Sequence, residues 1–241
     1  MRLYCLSVVD GVAWWSIHYH RRARGHMTTQ NTEKHAVIAI EGLIGCGKST
    51  LARWIRRNTS ALVADECESP LLTKFYDNPH RWSFACQIDL LTQRAQMLRT
   101  AQKASSTRTV VLDRSVCGDR AFSRTQWQMG HMDSHEYHLY NEIYATLLGE
   151  HIAPDIILYL DVPTETAIKR IRERGRAEKC DFEYIIMLQN AYEDALSNME
   201  SRGVQVMRHR WDRDLSDPAV YSAHAEQLLT RLMLRYADQL R

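Results

Sequence analysis

The chain has 241 residues, which suits one domain carrying a tail and is ample for a sizeable hydrophobic core. Its composition is that of an ordinary globular protein, and its formal net charge of only +2 argues against a nucleic-acid partner. The sequence has no apolar run long enough to span a membrane, and its six scattered cysteines favour reduced thiols in a cytoplasmic protein.

The first 35 residues differ from the rest of the chain. A mildly apolar stretch over residues 1–17 is followed by a basic stretch over residues 18–26 and then by polar residues. A secretory signal would carry its positive charge before the apolar stretch, whereas a basic leader poor in acidic residues suits mitochondrial targeting. We expect residues 1–35 to be a disordered extension. Two alternatives stay open: a mitochondrial leader, and a true start at Met27.

From residue 36 onward, strand-like and helix-like segments alternate. Short segments rich in apolar residues predict strands at 37–40, 61–64, 109–112, 155–160 and 204–207. The pattern between them predicts helices over 50–57, 81–105, 134–148, 164–174, 184–202 and 222–239. Strands that alternate with helices predict a doubly wound α/β fold with a parallel sheet in three α/β/α layers. We expect residues 36–241 to form a single domain.

A glycine-rich loop joins the first predicted strand to the first predicted helix, in the pattern Gly-x-x-x-x-Gly-Lys-Ser. Glycines let the backbone wrap closely round phosphate oxygens, and the helix N-terminus presents positive dipole to an anion. In this motif the lysine reaches the β- and γ-phosphates, and the serine hydroxyl is a ligand of Mg²⁺. The residues assigned to this phosphate site are Gly42, Gly45, Cys46, Gly47, Lys48, Ser49 and Thr50.

Two further segments fit a site that transfers phosphate. Asp113 and Arg114 follow the third predicted strand, where a carboxylate can hold Mg²⁺ and an arginine can neutralise phosphoryl charge. Arg170, Arg174 and Arg176 form an Arg-x-x-x-Arg-Gly-Arg segment. The first two share a helix face and repel each other unless an anion lies between them. The segment therefore predicts a lid that closes over the phosphates and excludes water.

The stretch from Tyr76 to Arg94 can recognise a planar heterocycle. Gln87 and Arg94 are seven residues apart, so they share one face of the predicted helix. Trp82 and Phe84 supply flat apolar surface that could sandwich a base while the polar pair reads its edge. The alternative, that these aromatic residues belong to the core, stays open at this point.

Taken in order, these motifs resemble the deoxynucleoside kinase family, which includes deoxycytidine, deoxyguanosine and deoxyadenosine kinases. The resemblance runs from about residue 37 to the C-terminus. It is carried by the glycine-rich loop, the stretch Tyr-x-x-Pro-x-Arg-Trp-x-Phe-x-x-Gln, the Asp-Arg-Ser motif with Asp119-Arg120, and the arginine-rich lid. The resemblance implies a P-loop fold like that of nucleoside kinases, ATP and Mg²⁺ as cofactors, a deoxynucleoside substrate and a homodimer.

The resemblance also implies roles for individual residues. Gln87, Arg94 and Asp119 would bind the base, and Tyr76 would hold the 3′-hydroxyl of the sugar. Arg114 would lie beside the 5′-hydroxyl and the arriving phosphate.

Two regions depart from the family pattern. The family places its general base, a Glu, at the end of the second strand, but this region is one or two residues short here. The base is then either Asp65 or Glu66, and both are carboxylates at a strand end. The family also has a Glu that contacts the 3′-hydroxyl three residues after the last lid arginine. Lys179 occupies that position here, and Glu178 before it is the candidate for the role.

The pair Arg94 and Asp119 bears on the choice of base. A charged pair suits adenine and cytosine, which offer both an acceptor and an amino donor, and it suits guanine in another orientation. It would crowd the methyl group of thymine. We expect purine deoxynucleosides first, deoxycytidine second and thymidine last. Two other functions stay open: a thymidylate-type nucleoside monophosphate kinase, and a nucleotide-binding subunit that regulates a partner kinase.

Overall fold

The computed structural model describes residues 8–9, 12–13, 35–149, 153–175, 181–212 and 217–238. Near the N-terminus, two short strands, β1 (Val8–Val9) and β2 (Val12–Ala13), pair in antiparallel fashion. The rest of the segment predicted to be a disordered extension lies outside the described residues, apart from residue 35.

From residue 35 onward, the described residues contain five strands and eight helices. The strands are β3 (Val37–Glu41), β4 (Leu62–Ala64), β5 (Val110–Asp113), β6 (Ile156–Asp161) and β7 (Gln205–Arg210). The helices are α1 (Lys48–Asn58), α2 (Leu72–Asp77), α3 (Pro79–Ala104), α4 (Val116–Gln128), α5 (Ser134–Leu148), α6 (Thr164–Arg174), α7 (Phe182–Ser201) and α8 (Pro218–Asp238). Every strand and helix predicted from the sequence is present, with its ends shifted by a few residues.

Two helices, α2 and α4, were missed by sequence reasoning. α2 has only six residues and no side-chain cap at its start. α4 begins after Ser115, whose hydroxyl accepts a hydrogen bond from the backbone N–H of Cys117. Its first turn contains Gly118, and polar residues such as Ser123 and Thr125 occupy buried positions. Apolar periodicity, the signal used to find helices, is therefore weak there.

The five strands β3 to β7 form one parallel sheet in the order β4-β5-β3-β6-β7. β3 lies at the centre and is buried along its whole length, as expected of a strand covered on both faces. The chain runs from β3 to one side of the sheet, through β4 and β5, and then to the other side, through β6 and β7. Ligands of such sheets bind beyond the carboxyl ends of the strands, where the strand order reverses.

Helices flank this sheet. α1 packs against β3, β4 and β5 and contacts α8, while α4 packs against α3, α5 and α7. Apolar side chains of the central strands and of the facing helix stripes, such as Leu51 of α1 and Leu91 of α3, form the core. The predicted doubly wound α/β fold is confirmed. Among the described helices, none is both long and apolar enough to cross a membrane.

Candidate active site

The loop between β3 and α1 folds round its own lysine. Lys48 is buried, and its Nζ donates hydrogen bonds to the backbone oxygens of Gly42 (3.0 Å) and Leu43 (2.9 Å). Gly45 has a φ of +82°, and a Cβ at this position would lie 2.7 Å from the backbone oxygen of Ala167. A larger residue would therefore displace the loop. The ammonium group is thus held at the N-terminus of α1, where an anion is favoured.

Asp113 ends β5, the strand beside β3, and its side chain is buried. Burial raises the pKa of its carboxyl, although a hydrogen bond with Ser49 and the charge of Lys48 oppose this effect. Its Oδ1 is buried and has no partner among the described residues. A carboxylate oxygen without a partner, next to a hydroxyl, is a donor set that fits Mg²⁺. Thr50, the next residue of the loop motif, is exposed.

The two carboxylates that follow β4 point to different places. Asp65 is 72% exposed at its side chain and pairs with Arg56 at 2.7 Å on the surface. The Oε1 atom of Glu66 accepts a hydrogen bond from Arg114 Nε at 2.6 Å and lies 3.4 Å from Arg94 Nη2. Of the two candidates for the general base, Glu66 is the one that lies among the other assigned residues.

Neighbouring cations set the charge of Glu66. Burial by itself would favour the neutral acid, but Arg114, Lys48 and Arg94 outweigh it and lower the pKa of Glu66 to about 2. Glu66 is therefore a carboxylate throughout the neutral pH range. Its side chain is still 36% exposed, so a substrate hydroxyl can reach it.

Arg114 has an unusual backbone as well as several contacts. Its φ of +75° is the one positive value among the described residues other than glycine. Such a conformation costs about 1–3 kcal/mol and is found mostly at functional sites. The guanidinium carbon lies 4.7 Å from the centre of the Phe122 ring, and Nη1 donates to the hydroxyl of Tyr192 at 2.7 Å. These contacts fix the side chain beside Glu66.

Sequence reasoning gave no role to Glu41, the last residue of β3. This residue is fully buried. Its Oε1 accepts hydrogen bonds from the N–H and hydroxyl of Ser115, both at 2.7 Å, and from the N–H of Gly118 at 3.2 Å. Its Oε2 accepts one from the Tyr192 hydroxyl at 3.1 Å. An acidic residue at the end of a buried strand is a signal that could have found it, since buried charge is costly unless it is paired.

Gln87 and Arg94 are buried on α3, and Asp119 is buried on α4, the helix that packs against α3. Arg94 Nη1 is bonded to Asp119 Oδ1. Three polar atoms of the group are buried without a partner among the described residues, namely Gln87 Oε1, Arg94 Nε and Asp119 Oδ2. Buried polar atoms are rarely left unpaired in proteins. Two acceptors and one donor therefore predict a polar ligand at this point.

The residues that form these clusters lie in a region that matches a known family. The model of the family described as deoxynucleoside kinase matches residues 38–231. This chain belongs to the deoxynucleoside kinase family. It is therefore a kinase, and the predicted resemblance is confirmed.

Individual members of the family are also similar to this kinase. It is 34% identical over 185 residues to the deoxyadenosine kinase of Dictyostelium discoideum, covering 75% of this chain and 74% of the relative. It is 30% identical over 155 residues to a deoxyadenosine/deoxycytidine kinase of Bacillus subtilis, covering 62% of this chain and 70% of the relative. A solved structure of deoxyadenosine kinase from M. mycoides with bound dCTP matches with a TM-score of 0.68 and 26% sequence identity. The match covers 81% of this chain and 98% of the solved one.

Two of the assigned substrate residues of this kinase, Tyr76 and Trp82, are only partly buried. Tyr76 is half-buried on the short helix α2. Trp82 precedes Gln87 by five residues, which places it about 140° away round the helix. Its ring is covered by the charged groups of Lys74, 4.8 Å from the ring centre, and Arg81, at 4.6 Å. The structure therefore does not place Trp82 on the helix face of Gln87, whose buried Oε1 has no partner among the described residues.

The lid arginines lie near the end of α6. Arg170 Nη1 donates to the backbone oxygen of Cys46 in the phosphate loop at 3.3 Å, so this side chain lies on the loop. Arg174, one turn further along, is exposed. Arg176 and Glu178 fall outside the described residues.

Proposed function

We propose that this kinase transfers the γ-phosphoryl group of ATP to the 5′-hydroxyl of a deoxynucleoside, in a reaction that requires Mg²⁺. The observation that supports this most strongly is the position of Glu66, which accepts a hydrogen bond from Arg114 Nε at 2.6 Å and lies close enough to Lys48 for that charge to lower its pKa. A carboxylate beside a phosphate-binding loop can orient an alcohol and take its proton.

In the proposed reaction, Glu66 accepts a hydrogen bond from the 5′-hydroxyl and aims its oxygen at the γ-phosphorus. The new oxygen–phosphorus bond forms as the bond to the leaving ADP breaks. With a pKa of about 2, Glu66 is a weak base, so it takes the proton late, when bond formation has made the hydroxyl more acidic. Lys48, Arg114 and the lid arginines neutralise charge on the transferred group, and closure of the lid excludes water.

Ser49 and Asp113 would hold the magnesium ion. When bound, the ion neutralises charge on the triphosphate and on the transferred phosphoryl group. The hydrogen bond between these two side chains and the unpartnered Oδ1 of Asp113 support this assignment.

The unpartnered atoms between α3 and α4 support a choice of base. Gln87 Oε1 and Asp119 Oδ2 are acceptors and suit an exocyclic amino group, while Arg94 Nε is a donor and suits a ring nitrogen. Adenine and cytosine offer these groups side by side, whereas thymine presents a carbonyl oxygen and a methyl group. We place purine deoxynucleosides first, deoxycytidine second and thymidine last. Tyr76 and Glu178 are proposed to contact the 3′-hydroxyl, and the homodimer stays a prediction from the sequence.

A panel of acceptors tests the proposed function. We expect deoxyadenosine, deoxyguanosine and deoxycytidine to give monophosphates with Mg·ATP, and thymidine to have the lowest kcat/KM of the four. Turnover of thymidylate with none of thymidine or the other nucleosides would support a nucleoside monophosphate kinase instead. Binding of ATP without turnover of any acceptor would support a regulatory subunit.

The pH dependence of kcat/KM tests the role of Asp119. Burial raises the pKa of this carboxyl to about 6, although Arg94 opposes the shift. Only the ionised form has both oxygens available as acceptors, and it predominates above that pH. We therefore expect kcat/KM for deoxyadenosine to rise about tenfold per pH unit below 6 and to level off above it.

Two comparisons separate Asp119 from other groups in this experiment. Asp119→Asn should lose the inflection near pH 6, because the amide does not titrate. Glu66, with a pKa of about 2, cannot produce the inflection. A wild-type profile that is flat from pH 5 to pH 8 would contradict the assignment of Asp119 to the base.

A further inference from the structure

We propose that Tyr192 is a positioning residue that orients the Arg114 guanidinium for phosphoryl transfer, an inference that rests on the proposed function. Tyr192 lies on α7, within the chain between the lid and β7, and is fully buried. None of the sequence motifs includes it. Its ring packs against those of Tyr159 and Phe122, with centroids 5.6 and 6.3 Å away.

The hydroxyl of Tyr192 joins two charged side chains. It accepts a hydrogen bond from Arg114 Nη1 at 2.7 Å and donates its own proton to Glu41 Oε2 at 3.1 Å. A phenol has one proton to donate, and a guanidinium can only donate. The direction of both bonds is therefore fixed: arginine to tyrosine, and tyrosine to glutamate.

Glu41 is a rigid end point for this chain of bonds. Its other oxygen, Oε1, is held by two donors of Ser115 and by the N–H of Gly118, so the carboxylate cannot rotate. A Cβ on Gly118 would lie 2.7 Å from Glu41 Oε2 and 2.9 Å from the Tyr192 hydroxyl. The glycine thus leaves room for the tyrosine to approach.

The geometry at Arg114 shows what Tyr192 controls. Nε donates to Glu66 and Nη1 donates to Tyr192, so two of the three nitrogens of the planar guanidinium group, the fork of Arg114, already have a hydrogen-bond partner. Among the described hydrogen bonds, Nη2 takes part in none. The fixed plane therefore leaves Nη2 as the donor for an oxygen of the transferred phosphoryl group. Without the phenol, Glu66 would be the one hydrogen-bond partner that directs the guanidinium, and the group could turn about that bond while it still lies against the Phe122 ring.

The test removes one hydroxyl. Tyr192→Phe keeps the ring contacts, and we expect kcat for deoxyadenosine phosphorylation to fall about 10- to 100-fold, less than the loss of about 10²- to 10³-fold when a preorganised donor is removed outright, because Arg114 is still present. The KM values for deoxyadenosine and ATP should change less than about threefold, because the base and phosphate sites are untouched. The matched control is Tyr144→Phe, since Tyr144 is buried and its hydroxyl has no partner among the described residues. This control should keep the wild-type kcat.

A double-mutant cycle shows whether Tyr192 acts through Arg114. In the Arg114→Ala background, Tyr192→Phe should change kcat by less than about twofold, because the group it positions is gone. Equal losses in both backgrounds would overturn the proposal. Thermal unfolding of each variant shows that it is folded. If Tyr192→Phe does not fold, Glu41→Gln alters the same contact from its other end and should lower kcat with KM unchanged; full kcat in that variant would overturn the proposal.

The outcomes also separate this inference from the proposed function. If the wild-type protein phosphorylates no deoxynucleoside, the proposed function fails and the inference fails with it. If the wild type is active and Tyr192→Phe behaves like Tyr144→Phe, the inference alone is overturned.

Discussion

Glu66→Gln is expected to lower kcat for deoxynucleoside phosphorylation by about 10²- to 10⁴-fold, the range for the loss of a general base. Glutamine has nearly the same shape and its oxygen can still accept the hydrogen bond from Arg114 Nε, but it cannot take up the proton of the 5′-hydroxyl. Steady-state kinetics with deoxyadenosine and Mg·ATP measures the effect. The KM for ATP should stay within about threefold of wild type, since the substitution leaves the phosphate loop intact.

Asp65→Asn is the control that this chain offers for the neighbouring position. Asp65 pairs with Arg56 on the surface, and such exposed ion pairs contribute about 0–1 kcal/mol to stability. We expect Asp65→Asn to keep kcat within about twofold of wild type, because an exposed substitution rarely disturbs a distant site. A large loss in Asp65→Asn with none in Glu66→Gln would assign the base to the other residue.

The adjacent carboxylates show where sequence reasoning ends. Successive side chains of an extended segment point to opposite sides, so a shift of one residue exchanges the roles of Asp65 and Glu66. The sequence shows that a carboxylate follows the strand, but not which one faces the site. That choice depends on Arg56 of α1 and Arg114 after β5, which reach this point from other parts of the chain.

Local motifs were the part of the site that the sequence could predict. The glycine-rich loop needs only consecutive residues between a strand and a helix, and Asp113 needs only the end of the neighbouring strand. The doubly wound fold followed from the alternation of strands and helices. Helix α4 was not predicted because its buried face is partly polar, and that face is the one that carries Asp119.

Contacts between distant residues could not be predicted. Glu41 and Tyr192 are 151 residues apart, and Arg114 and Tyr192 are 78 apart. Neither spacing leaves a periodic signal, since the sheet brings the end of β3 to α7 only after folding. In the base site, helix spacing predicted that Gln87 and Arg94 share a face, whereas only the resemblance to the family paired Arg94 with Asp119.

Arg114→Ala is expected to lower kcat about 10³-fold or more, as for other arginines that neutralise a transferred phosphoryl group. The substitution removes that charge and also the group that bonds Glu66, so the pKa of Glu66 should rise from about 2 toward its ordinary value. Alanine would also have to adopt the backbone φ of +75°. The thermal midpoint is therefore measured together with kcat.

Arg114→Lys separates charge from geometry. Lysine keeps the positive charge, but its single ammonium group cannot match the fork that bonds Glu66 through Nε and Tyr192 through Nη1. If orientation matters as proposed, the lysine variant should lie closer to alanine than to wild type in kcat. The control is Arg124→Ala on α4, the helix that follows Arg114, because Arg124 pairs with the exposed Asp194 and should keep wild-type activity. A lysine variant with wild-type kcat would mean that charge alone suffices, and neither the fork of Arg114 nor the tyrosine that holds it would then direct the transfer.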